Sequence, residues 1–171
     1  VVRGITGRPL LPGNALRALR NGDETYPAML AAIEQATASV SLSTYIFDHD
    51  AVGLQLADVL GRAAKRGVAV RVLIDDVGAR YSFPTVAGAL HRRGVPVALF
   101  LPTFFHWRMP YINLRSHRKI LVVDGRVGFT GGINIRQNNV LAARPRDPVQ
   151  DVHFEVMGPV VAHLQHTFAT D

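Results

Sequence analysis

The chain has 171 residues, enough for one domain with a well-buried core and too few for two at roughly 150 residues per domain. Hydrophobic residues make up 48% and charged residues 19%, which excludes disorder over most of the length, and the absence of cysteine excludes disulfides, thiolate metal sites and cysteine nucleophiles. The net charge of +6 comes from 19 basic and 13 acidic residues, and only Lys65 and Lys119 among the basic ones are not Arg, a balance that favours anionic partners: nucleic acid, phospholipid head groups or phosphorylated small molecules.

The first residue is Val1 and no leader is legible, so the chain is expected to be a fragment or a processed product. After a stretch punctuated by Gly4, Gly7, Pro9, Pro12 and Gly13, Ala15 to Leu19 reads as a short strand closed by Asn21-Gly22. Asp23 is placed as the N-cap of a first helix, with Pro27 in its first turn and Met29, Leu30 and Ile33 as its apolar stripe. Val40, Leu42, Thr44 and Ile46 alternate with Ser41, Ser43, Tyr45 and Phe47, the pattern of a strand running into an Asp48-His49-Asp50 loop. Asp48 and Asp50 could either cap the next helix or contact a substrate. That helix carries Val52, Leu56, Val59, Leu60 and Ala63 on one side and ends at Lys65-Arg66-Gly67, cations and a glycine where a helix terminus favours them.

Val68 to Ile74 reads as a buried strand, with Asp75-Asp76 expected to cap the loop beyond it; Ser82 to Arg93 reads as a helix stopped by Gly94 and Val97 to Leu101 as a further strand. Such β-α alternation predicts an α/β fold, a mixed, largely parallel sheet sandwiched between helices with function at the loops beyond the strand ends. Val95 to Phe105 is the longest apolar stretch, about ten residues broken by Pro96 and Pro102, against the ~20 that a membrane-spanning helix needs. Phe104 to Asn113 has no period and reads as an aromatic loop, packed by default or laid on a membrane surface. His49, His91, His106, His153, His163 and His166 form no ligand cluster in sequence, so no metal site is expected. Arg144 and Arg146 read as solvated loop charges.

The informative stretch runs from Asn113 to Asn134. Ser116 to Val123 is apolar and β-branched enough for a strand, Asp124-Gly125 is a two-residue hairpin turn, and Arg126 to Thr130 returns. His117 and Lys119, two apart, then share a face, with Arg115 toward that side and Arg118 away from it. Pairing Val123 with Arg126 places His117 opposite Gly132 and Lys119 opposite Thr130. Gly131 and Gly132 are read as open backbone space where a phosphate could approach, with Asn134 re-entering from the far side. Imidazole, ammonium and carboxamide together suit attack on a phosphodiester: neutral His117 as nucleophile, Lys119 and Asn134 on the non-bridging oxygens. This chemistry requires no cofactor. Asp124 would lie ~23 Å along the strand from His117 and is read as a turn residue capping local amides.

His117-x-Lys119 with Asp124, followed by Gly131-Gly132-Ile133-Asn134, resembles the HKD motif of the phospholipase D superfamily, and the Arg115-x-His117-Arg118-Lys119 context looks most like its bacterial cardiolipin synthase branch. The resemblance extends through Asn14 to Leu19, Tyr45 to Asp48, Arg66 to Asp75 and Asp151 to Pro159. It implies two HKD lobes meeting at one active site and a covalent phosphohistidine, with one lobe's His as nucleophile and the other's as general acid and base. It places at Asp151 an acidic residue orienting the nucleophilic His, and assigns Gly131, Gly132 and Arg115 to the substrate. Gly132 stands where many members carry Ser, so one hydroxyl contact to phosphate is lost.

Residues 1–171 carry a single such motif, so they read as one lobe whose partner lobe lies beyond Asp171 or in a second copy of the chain. Pro159 to Asp171 reads as a helix with no stop signal, which favours truncation. The leading expectation is the N-terminal lobe of a cardiolipin synthase-like phosphatidyltransferase acting on a phosphatidylglycerol-like lipid at the bacterial cytoplasmic or inner-membrane periphery. A homodimeric phosphodiesterase acting on DNA and a non-catalytic phosphate-binding lobe are the alternatives.

Overall fold

A computed structural model describes Gly7 and residues 11–80, 84–101 and 115–171. In chain order the elements are β1 (Ala15–Arg20), α1 (Asn21–Glu34), β2 (Ser39–Thr44), α2 (Ala51–Lys65), β3 (Ala69–Asp75), α3 (Val86–Arg92), β4 (Val97–Phe100), β5 (Ile120–Val123), β6 (Val127–Gly131), β7 (Val152–Met157) and α4 (Val160–Ala169). One seven-stranded sheet runs in the order β1-β7-β6-β5-β2-β3-β4. The expected mixed sheet between helices is present, but among its neighbouring strands β2-β3 and β3-β4 are parallel and the other four pairs are antiparallel. The reason is connectivity. Helices α2 and α3 carry the chain back between β2, β3 and β4, whereas a tight turn joins β5 to β6 and only short 3-10 turns lie between β6 and β7.

Helices α1, α2 and α3 cover one face, burying Ile33, Leu42, Leu56, Leu60, Ile74 and Phe129 in the main core. The other face holds a smaller core in which Val161 of α4 meets Ile120, Val122 and Val156. Local signals account for α2: Asp50 caps it by accepting from the Gly53 N–H at 2.9 Å, which settles the role left open for that carboxylate. Gly53 is required there because a Cβ would collide with the Asp48 carbonyl. In α1 the expectation fails. The helix begins at Asn21, and Asp23 is no cap: its carboxylate accepts from the Leu141 and Ala142 amides at 2.8 and 2.9 Å, tying α1 to the segment between β6 and β7.

The hairpin also differs. Asp124 and Gly125 both take left-handed conformations (φ 51° and 62°), and Arg126 N–H donates to the Val123 carbonyl at 3.0 Å, as a two-residue turn requires. Pairing then resumes one residue late, with Val123 opposite Val127 and Ile120, not Lys119, opposite Thr130, so Arg126 is a bulge. The aromatic segment 104–113, His106 and the start of the helix expected from Ser82 lie outside the described residues.

Candidate active site

Buried Asp75 at the end of β3 organises the approach to β5. Its carboxylate accepts from the Val77 N–H (3.0 Å) and the Ser116 N–H (3.2 Å), and the Arg115 guanidinium stands 3.8 Å away while donating to the Leu101 carbonyl at 3.3 Å. Ser116 is therefore held by a side chain, and the β5 ladder starts at Ile120. Arg115, expected on substrate, is part of this clamp.

The geometry still brings His117 and Lys119 together. His117 is exposed and Lys119 is buried. Lys119 Nζ donates to the His117 carbonyl at 2.8 Å and lies 3.2 Å from His117 Nδ1. Tyr45, just past β2, packs its ring 4.9 Å from the imidazole, and the ammonium stands 5.6 Å from the centre of that ring. Burial pushes the Lys119 pKa down to about 8, against the opposing pull of Asp151. Beside this pair opens a cleft of about 390 Å³ lined by Phe100, Leu101, Arg115, Ser116, His117 and Arg118. Arg118 was expected to point away from His117. It lines the same cleft and pairs with Asp171, because strand alternation does not govern residues that are not in a strand.

Asn134 is anchored just past the end of β2. Its Oδ1 accepts from the Ile46 N–H at 3.1 Å and its main-chain carbonyl accepts from the Tyr26 hydroxyl at 2.7 Å, which leaves the amide's NH₂ as the end to offer an anion. Glycines 131 and 132 do not form the open space expected of them. A Cβ on Gly132 would collide with the Asp151 carboxylate, and one on Gly131 would come within 2.9 Å of His153 Nδ1 and 2.6 Å of the Val152 carbonyl. The room they leave is occupied by the start of β7. Asp151 accepts from the Val152 N–H at 2.7 Å, and its charge acts on Lys119 and His153. Among the described residues the His117 side chain meets Lys119 and Tyr45, and contact with Asp151 is not among its interactions.

Asp124 caps backbone amides, as its distance from His117 required, but not those of its own turn. Its carboxylate accepts from the Thr37 N–H and hydroxyl and from the Ala38 and Ser39 N–H groups at 2.8–3.0 Å, and these bonds hold its pKa down to about 2 despite some desolvation. Asp48 lies beside Arg136 at 3.3 Å, with burial raising its pKa.

Sequence reasoning missed two residues. Tyr45 belongs to an alternating strand pattern that gives no sign of what its ring stacks on. His153 is buried on the α1 face, and it is the remote pairing of β6 with β7 that brings it to the site. Among the described residues, no group of three or more His, Asp or Glu side chains is arranged to hold a metal ion.

This mixed sheet between helices is the fold of phospholipase D family structures. The structure of Nuc, a phospholipase D family member from Salmonella typhimurium, superposes with a TM-score of 0.69 at 17% identity, covering 92% of this chain and 93% of that one. Phosphatidylserine synthase from Haemophilus influenzae Rd KW20 superposes with a TM-score of 0.68 at 17% identity, over 91% of this chain and 36% of that one. Residues 29–169 match the family described as cardiolipin synthase, phospholipase D-like domain, and the chain belongs to that family. Cardiolipin synthase 1 of Bacillus anthracis is 36% identical over the whole of this chain, which spans 34% of that relative's length.

Proposed function

We propose that this lobe performs the nucleophilic half of a phosphatidyl transfer on a phosphatidylglycerol-like lipid. The observation that carries the reading is the exposed His117 imidazole held 3.2 Å from the buried Lys119 ammonium at the mouth of a cleft. The neutral imidazole attacks through the ring nitrogen that carries its lone pair. That nitrogen bonds to phosphorus, the bond to the leaving alcohol breaks, and that alcohol's oxygen takes a proton from a general acid. Lys119, already tied to the His117 carbonyl, and the Asn134 NH₂ bind the non-bridging oxygens where charge builds. The acceptor alcohol then attacks the phosphohistidine, gives up its proton to the same group and restores neutral His117. A second lobe of this kind, in the same polypeptide or in a second copy, supplies that proton carrier, consistent with a chain spanning 34% of its relatives.

A substrate whose leaving group needs no proton separates the two halves. With a diacylglycerophospho-p-nitrophenol, the chain alone should release about one equivalent of p-nitrophenolate in a burst, leaving an acid-labile phosphoryl group on His117. Labelled phosphatidylglycerol should react about 10² to 10⁴ times more slowly until a second lobe is present. His117→Ala should abolish the burst. Absence of the burst in the unaltered chain, or its survival in His117→Ala, refutes the reading; nicking of plasmid DNA in place of lipid labelling would favour the DNA phosphodiesterase.

A further inference from the structure

Three residues lie side by side where the ladders end. Gly131 of β6 pairs with His153 of β7, and Lys119, immediately before β5, lines the same small void as His153. All three lie toward α1, and the middle one has no side chain. Lys119 is 5% exposed and His153 2%, and the void between them and Met29, Leu42 and Ile133 is about 10 Å³, the lower limit for a single water. A Cβ on Gly131 would come within 2.9 Å of the imidazole's Nδ1, which has no hydrogen-bond partner among the described residues.

We infer that His153 is a positioning residue for Lys119: its imidazole fills the slot over Gly131, keeps water from the lysine side chain and holds the ammonium toward His117. The inference rests on the reading of Lys119 as the cation that binds phosphate. An uncharged filler is needed, because a second cation would repel the ammonium, and burial and the Lys119 charge depress the His153 pKa to about 4 against the pull of Asp151. Other groups facing the pair are His117 and Tyr45 on the Lys119 side; α1 contributes apolar Met29 and β1 contributes Leu19, the residue opposite His153. A dry neighbour lowers the proton affinity of Lys119 without cancelling its charge below about pH 8.

The chain contains only two lysines, Lys65 and Lys119, so a lysine-labelled sample gives two side-chain NMR signals to follow with pH. His153→Ser, which admits water, should raise the Lys119 midpoint from about 8, with roughly three- to tenfold tighter proton binding, and move the alkaline limb of the p-nitrophenolate burst with it. His153→Phe, equally large and dry, should leave the midpoint in place. Reciprocally, Lys119→Met should raise the His153 midpoint above about 4, an arm that stands even if His153→Ser does not fold. An unmoved Lys119 midpoint in folded His153→Ser, a rise in His153→Phe as large as in His153→Ser, or an unmoved His153 midpoint in Lys119→Met overturns the inference. These titrations need no turnover, so failure of the phosphotransfer reading would show separately, as a burst that survives His117→Ala.

Discussion

Replacing Asp124 with Asn tests whether the acidic member of the motif does chemistry or holds the fold. The carboxylate accepts four hydrogen bonds from Thr37, Ala38 and Ser39, which join the start of β2 to the β5-β6 turn. A carboxyl lowered from 3.8 to about 2 on folding contributes on the order of 2.5 kcal/mol once ionised in both states. Asp124 is partly exposed, and solvent screening reduces this to about 1–2 kcal/mol. Because the folded pKa is the lower one, the contribution is present above about pH 4 and is lost as pH falls toward 2.

Asn retains one carbonyl acceptor but offers an NH₂ to backbone amides that are themselves donors, so about half the bonds become unfavourable. Urea unfolding followed by circular dichroism should show Asp124→Asn less stable by about 1–2 kcal/mol at pH 7, a loss of roughly 2–8 °C in Tm. That difference should shrink below pH 4. The p-nitrophenolate burst per folded molecule should stay within about twofold of the unaltered protein, since the carboxylate is committed to the β2 amides. A burst lowered a hundredfold with stability unchanged would refute the argument and make Asp124 a participant in the reaction.

Two further outcomes follow from the same geometry. Lys119 loses its proton as pH rises through about 8, so the rate of the p-nitrophenolate burst should fall about tenfold per pH unit above that point while staying flat below it, and Lys119→Met should show no such limb. Asp75→Asn removes the charge that faces Arg115 and anchors Ser116; urea unfolding should show a loss of about 1–3 kcal/mol, and the burst rate should fall about tenfold because the backbone leading to His117 is no longer held.

How far the fold was legible depends on where each element's partners lie. Helix α2 carries its apolar stripe and its basic terminus within its own length and β2 shows its alternation locally, so both were legible; β3 lies where expected, but its burial alternates along Ala69–Asp75 instead of being complete. Where a partner is remote, sequence cues mislead. Asp23 has the residue type and position of a cap, yet its hydrogen bonds run to Leu141 and Ala142. Strand β7 inverts the usual alternation: Val152 and Phe154 are about 40% exposed while His153 is buried, so its pattern does not announce which side faces the core.

The glycine pair shows most clearly why His117 and Lys119 could be placed together but their surroundings could not. Two glycines beside a His-x-Lys state that something comes close to the backbone there, and phosphate, a carboxylate and an imidazole all satisfy that requirement. Which one does is decided by β7, twenty residues on in the chain, whose register with β6 delivers Asp151 to Gly132 and His153 to Gly131. In the proposed reaction a phosphate reaches His117 through the cleft that Arg115 and Arg118 line, since among the described residues the glycine side of Lys119 is closed by protein. The same closure explains how an ammonium 5% exposed can face an exposed imidazole: its stem lies in a dry row built by β5, β6 and β7, and only its tip reaches the site.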